Sequence, residues 1–189
     1  MQTSNPDVLQ FLGRRRSHPP KTLTGPGPDR EQLMQLLTIA ARVPDHGKLE
    51  PWRFVVLERK TLDRLAPMLA QHVRDNGGDE AAAEKAASAF ASPVIVAVVS
   101  APVDSPKIPR WEQELSAGAV CLSLLNAALG AGWGAAWLSG PGVEADFARS
   151  YLDIKPGERV VGMIHIGTRT AEVPDRPRPD VAAKTTWLE

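Results

Sequence analysis

The sequence predicts an α+β protein, three layers deep, with helices on both faces of one sheet. Three observations lead there. VIVAVVS, residues 94–100, is an uninterrupted apolar strand, which needs cover on both faces. Between residues 30 and 42, Leu33, Leu36, Leu37, Ala40 and Ala41 fall on one side of a helix, so that helix has one face to bury. The further strands WRFVVLE, GAAWLS and RVVGMIHIG are interleaved with helical stretches, which mixes the two element types around a common core.

Taken in order, Asn5-Pro6 starts a short helix, because proline is pre-set for a first helical position, and Val8, Leu9, Phe11 and Leu12 carry it to Gly13. Pro19 and Pro20 then forbid helix, and LTGPGP reads as a loop. Asp29 with Gln32 makes a capping box for the helix over 30–42. After a polar stretch, RVPDHGKLEPWRF, the β-branched and aromatic run WRFVVLE is a strand. Two helices follow, about 61–75 and 79–90, parted by the breaker Asn76-Gly77-Gly78. The apolar strand 94–100 leads through a Pro-punctuated loop to a long central helix at 112–130. Strands GAAWLS and RVVGMIHIG flank a short helix near 143–150. The chain is expected to be one domain over residues 1–189, with 171–189 an extended arm; its Trp187 and Leu188 either meet a second surface or belong to a frayed tail.

The totals exclude several classes. With 22 basic and 22 acidic residues the chain has no field to gather polyanions, so neither nucleic acid nor an anionic membrane is expected as partner. Cys121 is the single cysteine, so there is no internal disulfide, and the start MQTSNPDVLQ lacks a secretory pattern; a cytoplasmic setting is expected. His18, His46, His72 and His165 are scattered without metal-ligand spacing, and no metal site is expected. Cys121 lies among Val120, Leu122 and Leu124, as an inert core thiol would. GAGWGA, residues 130–135, looks like a dinucleotide fingerprint but closes a helix and enters a strand, the reverse of what pyrophosphate binding needs. Its glycines are better read as a helix cap that admits a close neighbour. Trp111, in the loop 101–111, is expected in the core; the other reading has it line the mouth of a site with Lys107 and Arg110.

Two basic clusters remain. RRRS, residues 14–17, can fork onto phosphate oxygens with a serine hydroxyl completing the cradle, and the prolines after it fix where the guanidiniums point. Arg42, His46 and Lys48 sit in a constrained turn between a helix and a strand. Either cluster alone also suits a solvated surface; together they could clamp a planar, phosphorylated ligand.

RRS at 15–17, VPDH at 43–46, PWRF at 51–54, PRWEQELSAG at 109–118 and GWGAAWLSG at 132–140 resemble, in order and spacing, the nitroreductase family of FMN-dependent oxidoreductases, and within it the small YdjA-like branch. The resemblance implies a three-layer α/β/α sandwich with a mixed, mainly antiparallel sheet, an intertwined homodimer, and non-covalent FMN at the subunit interface. It implies that Arg15, Arg16 and Ser17 hold the phosphate and ribityl chain. Arg42 and His46 would also contact FMN, from the neighbouring subunit or across the seam, while Trp137, Leu138 and Ser139 would pass the flavin ring. NADH or NADPH would be the reductant and a nitroaromatic, quinone or similar small molecule the acceptor, in alternating half-reactions. Arg16, then Lys48, is the candidate for stabilising anionic reduced flavin. The resemblance also leaves open other flavin tasks on this scaffold (dehalogenation, dehydrogenation, flavin breakdown) and a non-enzymatic FMN-binding module. This chain departs from the family pattern in having Pro19 and Pro20 where a further arginine is common, Lys48 in place of asparagine, and Glu50 in place of glutamine.

Overall fold

The computed structural model describes residues 4–188. Helices α1 (Pro6–Arg14), α2 (Arg30–Ala40), α3 (Arg59–Asp75), α4 (Glu80–Ala89), α5 (Arg110–Gly130) and α6 (Ala145–Tyr151) surround strands β1 (Leu23–Thr24), β2 (Trp52–Glu58), β3 (Val94–Ser100), β4 (Gly134–Leu138) and β5 (Arg159–Arg169). The sheet runs β1-β5-β3-β2 with β4 also on β5, and all of these pairings are antiparallel.

Every residue of β3 is buried, which the apolar run demands. Alternate residues feed two cores. Val94, Val96 and Val98 pack with Leu33, Leu36 and Leu37 of α2 and with Val120, Leu124 and Leu125 of α5. Ile95, Ala97 and Val99 pack with Leu62, Leu65 and Leu69 of α3, Phe90, and Phe147 of α6. The period-two alternation of a strand thus makes three layers of the chain. Cys121 is sealed in the first core, and burial pushes its thiol up to about 12. Among the described residues no helix is long and apolar enough to cross a membrane.

Local chemistry sets the ends. Asp29 and Gln32 form the capping box reciprocally, at 2.8 and 3.0 Å. α5 closes in a Schellman motif, with Trp133 N–H donating to Ala128 and Gly132 N–H to Leu129, and Gly132 at φ +89°. A side chain at Gly134 would come within 2.6 Å of Leu23, so that glycine admits a close neighbour, whereas Gly132 serves the cap alone.

Two expectations need correcting. The stretch read as a loop contains β1, formed because Leu23 and Thr24 meet the end of β5 at Arg169 and Thr168. Trp111 is 61% exposed rather than in the core. The buried face of α5 is set by Gln113, Ser116, Ala117 and Val120, and a residue two before Gln113 lies about 200° round the helix from it. Residues 171–188 run as an irregular exposed arm with one short turn at Ala182–Lys184; Trp187 and Leu188 lie open at its end.

Candidate functional site

α1 ends where Arg15 N–H donates to Phe11 at 2.8 Å and the backbone turns extended. His18 N–H then donates to the Ala135 carbonyl at 2.8 Å, laying this segment beside β4. Arg15, Arg16 and Ser17 therefore stand next to the strand whose end carries Trp137, Leu138 and Ser139. The Trp137 indole lies over Gly162, where no side chain would fit. Leu138 and Ser139 border a cavity of about 740 Å³ whose other walls include Pro19, Lys21, Phe90 and Met163. His165, also at this cavity, is held by Ser92 at 3.0 Å, and burial pushes its pKa down to about 4, so it is neutral at pH 7.

Charge concentrates at the first grip. Arg14, Arg15, Arg16, Arg169 and His18 line a second cavity of about 350 Å³, with Asp7 and Glu172 as its acids. Arg15 Nε is buried with no hydrogen-bond partner, while its terminal nitrogen lies 3.5 Å from Ser17 Oγ. Burial first, then Arg178 and Arg16, lowers the Arg15 pKa; burial and Arg169 likewise lower that of His18. An unsatisfied guanidinium donor among like charges is costly unless an anion offsets it. Arg16 has an internal anion: it donates to the Pro174 carbonyl and lies 3.3 Å from Asp175, which also pairs with Arg178 at 2.8 Å. Arg169, Arg178 and Asp175 are thus parts of this cluster that the sequence reading missed. For Asp175 and Arg178 the signal was DRPRPD in the arm, two arginines and two aspartates that by themselves read as linker.

The second grip is built differently. His46–Lys48 forms a 3₁₀ turn beginning after Asp45, with Gly47 at φ +72°. A Cβ at Gly47 would come within 2.6 Å of Ile108. His46 Nδ1 meets Glu112 at 2.8 Å, and Ser116 donates to the Pro44 carbonyl at 2.8 Å, so the turn sits on the first half of α5. Arg42 is exposed just beyond α2.

The structure thus sets Arg15–Ser17 beside the strand that carries Trp137–Leu138 and seats His46 on the first half of α5. A Cβ at Gly130, at the far end of α5, would lie 3.7 Å from Phe11 of α1, while Ser116 holds the turn. Gly130 lies fourteen residues on from Ser116, about 20 Å along the helix.

The family model for the nitroreductase family matches residues 12–168. The chain is 36% identical over 163 residues to the protein named "Putative NAD(P)H nitroreductase YdjA" of Escherichia coli K12, covering 86% of this chain and 88% of that one. Its fold is similar to that of a nitroreductase-like family protein from Bacillus cereus, with TM-score 0.78, 23% identity and all of both chains covered. It is similar also to a Bacteroides fragilis nitroreductase solved with bound FMN, at TM-score 0.73 and 20% identity over 98% of this chain and 100% of that one. These two likenesses carry the fold; the family match and the curated relative carry kinship. The chain belongs to the nitroreductase family.

Proposed function

We propose that the chain is an FMN-dependent oxidoreductase whose site is completed by a second copy of itself. The observation that carries the reading is the orphaned, buried Arg15 Nε inside a ring of guanidiniums, a cradle that fits a phosphate better than anything the chain itself supplies. Arg15 would fork onto that phosphate, the Ser17 hydroxyl would complete the contact, and Arg16 would face the ribityl chain. The backbone of Trp137, Leu138 and Ser139 would border the ring. When bound, FMN would supply the redox chemistry: a hydride acceptor at N5 for NADH or NADPH and a two-electron donor to a nitroaromatic, quinone or similar small acceptor. The protein's part is to bind, orient and exclude water, and to set a positive charge near the developing anion, with Arg16 first and Lys48 second for that task.

Arg42 and His46 would reach the same ligand from the partner copy. α5 supports that arrangement. Its exposed side carries Trp111, Leu115 and Leu122, and a side chain at Gly118 would meet nothing within 4 Å. An apolar stripe of that kind calls for a partner surface. The exposed Trp187 and Leu188 of the arm would find cover there as well.

Purified protein is expected to be yellow, to release FMN on denaturation, and to lose its visible flavin absorbance when NADPH is added without oxygen. Colourless protein that takes up no FMN overturns the reading; bound flavin that NADPH cannot bleach leaves a binding module instead of a reductase.

A further inference from the structure

In the segment 47–50, three of four residues have positive φ: Gly47 at +72°, Lys48 at +54° and Glu50 at +48°. Leu49 between them is right-handed, at φ −77° and ψ −19°. Side chains rarely accept the left-handed region, so Lys48 and Glu50 need something to hold them there. Alternating left- and right-handed residues turn successive N–H groups the same way, into a small concavity that binds anions. That concavity is filled from within the chain. Asp45 Oδ1 accepts the Leu49 N–H at 3.2 Å and Oδ2 accepts the Glu50 N–H at 2.8 Å. The ends are pinned separately, by Ser116 on the Pro44 carbonyl and by Trp52 N–H on the Glu50 carbonyl at 2.7 Å.

We infer that Asp45 is the positioning residue of the second grip: its carboxylate, seated in the 48–50 concavity, fixes the turn that presents His46 and Lys48 before any ligand arrives. Asp45 is not a ligand contact; it acts through the backbone it holds. The alternative, a carboxylate that merely tidies a surface loop, gives the same hydrogen bonds but no consequence for binding. The consequence for FMN rests on the function proposed above, whereas the effect on the turn does not.

The experiment uses the full chain. Asp45→Ala leaves both N–H groups free, and Asp45→Asn keeps one side-chain oxygen and so should rescue in part. FMN affinity, read by quenching of flavin fluorescence, is expected to fall roughly 10- to 100-fold in Asp45→Ala, the size of effect that small misplacement of a binding group produces. Asp45→Asn should fall between that and the wild type, with the unfolding midpoint of FMN-free protein little moved. Amide exchange at Leu49 and Glu50 should quicken by about tenfold or more in Asp45→Ala. Unchanged affinity with unchanged exchange overturns the inference, and so does faster exchange with unchanged affinity in a wild type that binds FMN. Should Asp45→Ala fail to fold, Asp45→Asn decides alone: weaker binding supports the role and wild-type binding ends it. A wild type that binds no FMN sinks the proposed function instead, and amide exchange then remains the test of whether Asp45 holds the turn.

Discussion

The two grips of this chain solve opposite problems. Around Arg15 and Arg16 the backbone is relaxed and the strain is electrostatic: guanidiniums crowd a cavity, one buried donor is unmet, and a carboxylate from the arm answers Arg16. Around His46 and Lys48 the charges are spread out and the strain is conformational, with left-handed residues held by Asp45 and a glycine pressed to Ile108. Charge crowding can be relieved by an incoming anion, so the first grip has an affinity built into its unsatisfied state. Backbone strain cannot be relieved that way. It fixes direction, and direction is what a residue needs if it is to meet a ligand held mainly by another chain.

The sharpest way to break this contrast is to remove Arg15. Charge-assisted hydrogen bonds contribute about 1.5–3 kcal/mol, so Arg15→Ala should weaken FMN binding by about 2 kcal/mol, roughly 30-fold. The FMN-free protein should become no less stable, since the side chain brings like-charge repulsion and an unmet donor to the apo state. Titration of FMN and denaturant unfolding of the FMN-free form check both halves. A large loss of stability with intact FMN affinity would show that the first grip is structural and the contrast false.

A middle-sized effect is expected at Gly47. Alanine there combines a φ of +72° with a Cβ 2.6 Å from Ile108 Cδ1. Gly47→Ala should cost about 2 kcal/mol in unfolding free energy, seen as an earlier denaturant midpoint at unchanged slope. Gly13, whose Cβ would meet nothing within 4 Å, is the matched control near the first grip, and Gly13→Ala should leave the midpoint where it is or raise it. If the two substitutions behave alike, the second turn is no more rigid than the first segment.

The same division explains what the sequence could disclose. The capping box at Asp29, the strands at 52–58 and 94–100 and the glycine closure of α5 are local: each is written within a few consecutive residues, and each is found in the structure. The clusters RRRS and RVPDHGK were legible as chemistry for the same reason. Their partners were not. Arg16 meets Asp175 and Pro174 across more than 150 residues of chain, Arg169 arrives on β5, and β1 exists only because that strand's end lies beside it. Trp111 misled because aromatic character predicts burial, whereas the phase of α5 is set by residues further along it. The roughly 20 Å of α5 between Gly130, beside α1, and Ser116, beside the turn, is a property of that helix's length and of what docks on it, which no single motif records.

The smallest effect should come from Asp175, and it tests the contrast most finely. Its carboxylate is mostly exposed, lies 3.3 Å from Arg16 and also pairs with Arg178. The Arg176 backbone N–H, with Arg178 and Arg16, holds its pKa below the usual carboxylate range, so it is charged at neutral pH. If the first grip works by unmet charge, the phosphate must compete with this internal anion, and Asp175→Asn should tighten FMN binding. Exposed pairs are weak and screened, so the gain should be a small multiple at low salt and should vanish as ionic strength rises. The equivalent change at the second grip, Asp45→Asn, should move affinity the other way and do so independently of salt, because what it loosens is backbone. Opposite signs with different salt dependence would establish that one grip attracts and the other aims; a common sign would mean that both carboxylates act simply as nearby charges.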